Sequence, residues 1–85
     1  MNSVKYKAVY WFFTHIFLRR IGKRHPDFFK QWVRSVTDNP LEREVMFLRY
    51  VGDKQTEFKE ISSKMNIDER RVFRYHKKIV DLLIS

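Results

Sequence analysis

The sequence predicts an all-α fold of about five helices, and three observations carry that expectation. Gly and Pro occur only twice each, too few for a turn-rich β-protein. Apolar residues make up 44% of the chain and aromatic residues 16%, which argues against disorder. The apolar residues recur at helical spacing in successive segments. At 85 residues the chain has room for a single domain with one core. Within it, residues 1–40 read as a basic, aromatic-rich helical pair and residues 41–85 as a second unit.

The first helix is expected from Val4 to Ile21, bounded by Gly22. Between Ala8 and Leu18 only Thr14 and His15 are polar. Those eleven residues span roughly 16 Å as a helix, too short for a bilayer core near 30 Å. Arg19-Arg20 follows directly and no small-residue cleavage site appears, so neither a membrane span nor a signal peptide is expected. Asp27, after Pro26, stands in an N-cap region. Phe28, Phe29, Trp32, Val33 and Val36 then mark a second helix. Pro40 suits the first turn of a third, whose period runs through Leu41, Val45 and Leu48 with Phe47 on a flank, ending at Gly52-Asp53. Thr56 or Glu57 opens a fourth helix with Phe58, Ile61 and Met65 inward. Asp68 caps a fifth that runs to about Ile84.

Lys and Arg total 18 against 10 Asp and Glu, a net charge of +8. A field of that size attracts polyanions, nucleic acid foremost and an anionic membrane surface second. The charge is uneven. Residues 1–40 hold eight Lys or Arg against two Asp, and residues 41–85 hold ten against eight Asp or Glu. Aromatic residues also crowd the first half, from Tyr6 to Trp32, beyond what one helix can turn toward a small core. The excess predicts a dimer contact or a face for another protein, with Trp11, Phe12 and later Phe73 as candidates.

The absence of cysteine rules out disulfides and thiolate zinc sites and fits a cytoplasmic location. His15, His25 and His76 lie far apart, without metal-ligand spacing, so no metal is expected. No nucleophile–base arrangement and no Gly-rich phosphate loop is visible. The reading is therefore not an enzyme, and no cofactor is implied.

The stretch EISSKMNIDERRVFRYH, Glu60 to His76, carries the most chemistry. A helix-turn-helix needs a short first helix, a small residue near its start, apolar residues on both sides of the turn, and polar side chains at the N-terminal half of the second helix. Ser62 supplies the small residue. Ile61, Met65, Ile67, Val72 and Ile79 supply the inward positions, with Leu82 or Leu83 closing the stripe. Tyr75 and His76 fall at the inner edge. Arg70, Phe73, Arg74, Lys77, Lys78 and Asp81 then face outward, and Arg71 lies at a flank. Arginine can bond the O6 and N7 of guanine, while lysines and flanking arginines neutralise phosphates. Glu69 can accept from a cytosine amine or favour the helix dipole.

LEREVMFLRY followed by EISSKMNIDERRVFRYHKKIVDLL resembles region four of sigma factors and the LuxR-type helix-turn-helix, over residues 41–84. The residues that carry the likeness are Leu41, Glu42-Arg43-Glu44-Val45, Leu48-Arg49-Tyr50, Glu60-Ile61, Met65, Ile67, Val72 and Leu83. The resemblance implies base contacts from Glu69, Arg70 and Arg74. It departs from the family in three places: the signs of Glu69 and Arg70 are reversed, Arg74 stands where Gln is usual, and Phe73 replaces a common basic residue. Residues 1–40 do not resemble the rest of a sigma factor. A stand-alone regulator, of the kind that small phages and mobile elements carry, fits the likeness better.

The expected function is sequence-preferring binding of double-stranded DNA in transcriptional regulation. Glu69, Arg70 and Arg74 would read bases; Lys54, Lys59, Arg71, Lys77 and Lys78 would touch phosphates. A module this small usually needs a second copy or a neighbouring protein to bind specifically, so a homodimer or RNA polymerase is the further partner expected. The alternatives are a protein-interaction module that sits on RNA polymerase or a sigma factor, and a DNA-recognition subunit like the phage small terminase.

Overall fold

A computed structural model describes residues 3–85 and contains only helices among them. The first rod is continuous from residue 3 to residue 24 but changes pitch on the way. It comprises α1 (Ser3–Phe12), a π-helical turn (Phe13–Phe17) and α2 (Leu18–Arg24). At the wide turn the Leu18 N–H reaches the carbonyl of Phe13, five residues back. Thr14 sits in it, buried, with its hydroxyl donating to the carbonyls of Tyr10 (2.9 Å) and Trp11 (3.3 Å). A side chain that takes up backbone acceptors in this way competes with the helical ladder. The extra residue rotates the remainder of the rod by roughly 100°, one residue's step. Tyr6, Tyr10 and Phe13 can therefore face the same body as Leu18 and Ile21.

Four more helices complete the fold: α3 (Pro26–Val36), α4 (Pro40–Tyr50), α5 (Phe58–Met65) and α6 (Glu69–Ile84). With the first rod they make the five that the sequence predicts. Gly22, read from sequence as a helix boundary, lies inside α2 instead. The rod ends at His25, whose backbone leaves the helical region because the next residue is Pro26. Gly22 has a packing role: a Cβ there would stand 2.1 Å from the Tyr50 carbonyl oxygen at the end of α4. Asp27 likewise falls within the first turn of α3, where its charge favours the helix dipole, while His25 holds the cap position and Pro26 the first turn.

Burial divides along α4 and α6. One cluster joins Leu18, Phe29, Val33, Met46, Tyr50, Ile79, Val80 and Leu83. It fuses the first rod and α3 to the C-terminal half of α6. A second cluster joins Val45, Ile61 and Val72, with Leu48, Phe58, Met65, Ile67 and Tyr75 packed on it. It fixes α5 to the N-terminal half of α6. Truncating a fully buried aromatic such as Phe29 to Ala removes about 3–5 kcal/mol in such a setting. On α4 the buried face is Glu42, Val45, Met46 and Tyr50 rather than the expected Leu41–Val45–Leu48 stripe. Leu41 is exposed and Leu48 half-buried. On α6 Leu83, not Leu82, closes the apolar stripe.

His76 lies between the clusters and is buried. Its Nε2 is 2.6 Å from the Tyr50 hydroxyl and its Nδ1 is 3.2 Å from the Tyr10 hydroxyl. Burial first, then the nearby Arg49 charge, pushes its pKa down to about 3, so the imidazole is neutral at pH 7. Both ring nitrogens have a partner, which satisfies a polar group in an otherwise apolar centre.

Candidate nucleic-acid interface

The link between α5 and α6 is short and tightly specified. Asn66 adopts the left-handed conformation, φ 55°, which asparagine tolerates better than most residues. The Ile67 N–H returns to the Ser62 carbonyl (3.2 Å), and the Ser62 hydroxyl donates to the Ile67 carbonyl (2.5 Å). Ser62 is therefore more than a small residue: it closes the turn from both sides. Asp68 then caps α6, its carboxylate accepting from the Arg70 N–H at 2.7 Å. That backbone bond, followed by the Arg70 charge, holds the Asp68 pKa below its ordinary value.

From this cap the N-terminal half of α6 projects its polar side chains into solvent. Arg70 has 91% of its side chain exposed, with only a 3.5 Å approach to Asp68. Glu69 and Arg74 are exposed as well. Arg70, Arg71, Phe73 and Arg74 share one open hollow with Asp68. The three residues expected to read bases thus lie on one accessible stretch of helix. Most of the sequence register of α6 holds: Val72, Ile79 and Leu83 are buried, while Arg70, Phe73, Arg74, Lys77 and Lys78 are exposed; Asp81, expected to face outward, is half-buried because Tyr6 of the first rod packs on it, and Val80 joins the buried face.

The expected phosphate contacts differ in how free they are. Lys54 and Lys59 are exposed beside one another, in a hollow with Glu57 and Glu60. Arg71 donates to the Tyr75 hydroxyl at 2.7 Å. Lys77 lies 3.0 Å from Asp81 and 3.4 Å from the Tyr6 hydroxyl, and Tyr6 donates to the same carboxylate. Lys78 is 2.8 Å from Glu42, a carboxylate only 3% exposed that also accepts from Thr37 at 2.6 Å. Burial pushes the Glu42 pKa up, and the Lys78 and Thr37 contacts more than offset that, so it rests below the ordinary value. Lys78 therefore ties α6 to α4, while Lys77 pairs within α6 and reaches the first rod through Tyr6. Lys78→Ala is expected to lower stability by ~1 kcal/mol by stripping the charge partner from Glu42, whereas Lys54→Ala and Lys59→Ala leave it within about 0.5 kcal/mol. Urea denaturation of the three variants measures the difference.

The aromatic surplus divides as well. Phe29 is buried, and Tyr6, Tyr10, Phe13 and Trp32 are half-buried. Trp11 and Phe12 are each 56% exposed on the first rod, with Trp11 stacked on His15 at 5.0 Å. Phe73 is 48% exposed beside Phe58, and it reaches a second hollow whose walls include Tyr10, His15 and Arg49. The three aromatic residues expected at a protein contact are all accessible.

One set of cations does not stand out from the sequence alone. Arg19, Arg20, Lys23 and Arg24 line an open hollow with His15 and Ile16. The signal for them is compositional, since no Asp or Glu precedes Asp27. Among the described residues, no three His, Asp or Glu side chains gather to hold a metal ion, and no helix is long and apolar enough to cross a membrane. No protein-family model, curated protein or solved structure matches this chain.

Proposed function

We propose that this protein binds duplex DNA in a sequence-preferring manner, with α5 and α6 as a helix-turn-helix, and that it regulates transcription. One observation carries the reading: the capped N-terminal end of α6 is free of tertiary cover and offers Glu69, Arg70 and Arg74 together. That end of a recognition helix is the part that enters a major groove, and its backbone N–H groups suit a phosphate. The net charge of +8 supplies the long-range attraction. Arg71, Lys54 and Lys59 are the phosphate contacts the reading favours, and Lys77 and Lys78 reach a phosphate only by giving up Asp81 and Glu42.

Selection of bound duplexes from a random pool tests the reading. A defined consensus is expected. Arg70→Ala and Arg74→Ala should each relax preference at one base pair by about 1–3 kcal/mol, while binding to unrelated duplex changes little. A pool that emerges without a consensus, or variants that weaken cognate and unrelated duplexes equally, would remove base readout.

The exposed Trp11, Phe12 and Phe73 favour a second reading, in which the chain is a protein-interaction module for RNA polymerase or a sigma factor. Such an interface responds little to salt, whereas DNA affinity falls steeply with it. A DNA-recognition subunit resembling the phage small terminase would share the DNA chemistry and differ in its protein partner.

A further inference from the structure

Among the described residues, some cations of this fold have a carboxylate partner, and one set without a partner is gathered in a single hollow. Arg43, Arg70, Lys77 and Lys78 each have a carboxylate within 3.5 Å. Arg19, Arg20, Lys23 and Arg24 have none among the described residues, and all four are exposed. Their spacing makes Arg19–Lys23 and Arg20–Arg24 like-charge neighbours one turn apart. Such pairs destabilise a helix, by about 0.2–0.5 kcal/mol each. The C-terminal end of α2 offsets part of that repulsion at Lys23 and Arg24, and no carboxylate within the described residues offsets the rest, so the cluster is open to an anion from outside.

Its position says which anion. The hollow lined by these four cations shares His15 with a neighbouring hollow, and that one shares Phe73 with the hollow of Arg70 and Arg74. The three hollows therefore follow one another from the free end of α6, by way of Phe73 and His15, to α2. The whole molecule is 36 Å in its longest dimension, about one turn of a B-form duplex. Both ends of the series lie within reach of the same turn.

We infer that Arg19, Arg20, Lys23 and Arg24 form a second, sequence-independent clamp on the phosphate backbone of the duplex whose groove α6 occupies. The inference rests on the DNA-binding reading and adds a contact surface outside residues 41–85. The clamp supplies affinity and orientation; Arg70 and Arg74 supply preference. It also places four exposed positive charges where a phosphate can displace counterions without first breaking an internal ion pair.

The test is a salt titration of the full chain on a selected duplex and on an unrelated one, followed by fluorescence anisotropy. The variant with Arg19→Ala, Arg20→Ala, Lys23→Ala and Arg24→Ala should weaken both duplexes by the same factor. Its log–log salt slope should flatten by about 3–4, near 0.9 for each phosphate no longer neutralised. Replacing the three arginines by lysine keeps the charge and should keep the slope. Circular dichroism should show the Ala variant folded, since all four side chains are in solvent. An unchanged slope would overturn the clamp even if Arg70→Ala still relaxes preference. Absence of binding by the unmodified chain to any duplex would instead overturn the DNA reading and the clamp with it. Anionic phosphatidylserine vesicles form a third arm: if the Ala variant loses vesicle binding and keeps its DNA slope, the cluster belongs to a lipid surface and the clamp is wrong.

Discussion

Gly22→Ala should destabilise this protein by about 3 kcal/mol or more, although the same change in an ordinary helix interior stabilises by ~1 kcal/mol. The new methyl group would meet the Tyr50 backbone at 2.1 Å from its carbonyl oxygen and 2.7 Å from its carbonyl carbon. Backbone cannot swing aside as a flexible side chain can, so α2 and α4 must separate. Separation loosens Tyr50, which packs on Phe29 and holds His76. In a domain of this size each kcal/mol moves the melting temperature by about 4–8 °C, so a drop of at least ~12 °C is expected in a thermal scan. An unchanged or raised melting temperature would mean that the two helices do not cross at Gly22.

Acid should weaken the fold well before its carboxylates titrate, and His76 is the reason. Its pKa is about 3 in the folded chain against an ordinary 6.5. Between those values the unfolded chain binds a proton that the folded chain refuses, so stability falls as pH falls. The full contribution is present above about pH 6.5 and erodes by up to about 1.4 kcal/mol for each pH unit below it. The groups around the ring are Tyr10, Tyr50 and Phe58, with Arg49 and His15 as the nearby ionisable groups, and none of them carries a negative charge to offset the burial of an imidazolium. Denaturant titrations at pH 7 and pH 5 should differ by roughly 2 kcal/mol for the native sequence. His76→Gln lacks the titration, and most of that difference should vanish in it, whatever its own stability. A native protein equally stable at both pH values would place His76 in contact with water.

Both results concern residues that the sequence alone reads incompletely. Helix α6 is legible because its signals are local: a capping Asp68, a 3.6-residue apolar period and a polar outer face. The turn before it is legible for the same reason, although the double role of Ser62 is not. On α4 two stripes compete. The more apolar one, through Leu41, is the natural reading, and the true one contains Glu42. A buried carboxylate becomes intelligible only once Lys78, thirty-six residues later, is known to reach it. Gly22 misleads for a similar reason. A glycine after an apolar run usually ends a helix, and its contact with Tyr50 is long-range. The π-helical turn leaves no pattern to read, because a single Thr14 within an apolar run does not distinguish it from an ordinary helix.

At the proposed interface, residue types are legible in the sequence and availability is not. Lys77 and Lys78 look as free as Arg70 until their carboxylate partners are located. Conversely, the charge of the first rod is visible as composition, and only the fold shows that its hollow borders, at His15, the one that Phe73 lines.

The two apolar clusters share α4 and α6 as a party wall, and this limits how the protein can be taken apart. A segment starting at Pro40 would inherit the smaller cluster whole, but Met46, Tyr50, Ile79, Val80 and Leu83 would be stripped of their cover. Such a segment would be a sticky half-molecule rather than a transferable cassette. Evolution could recombine α5 and α6 into another protein only by carrying the aromatic rod along, or by furnishing a substitute for it.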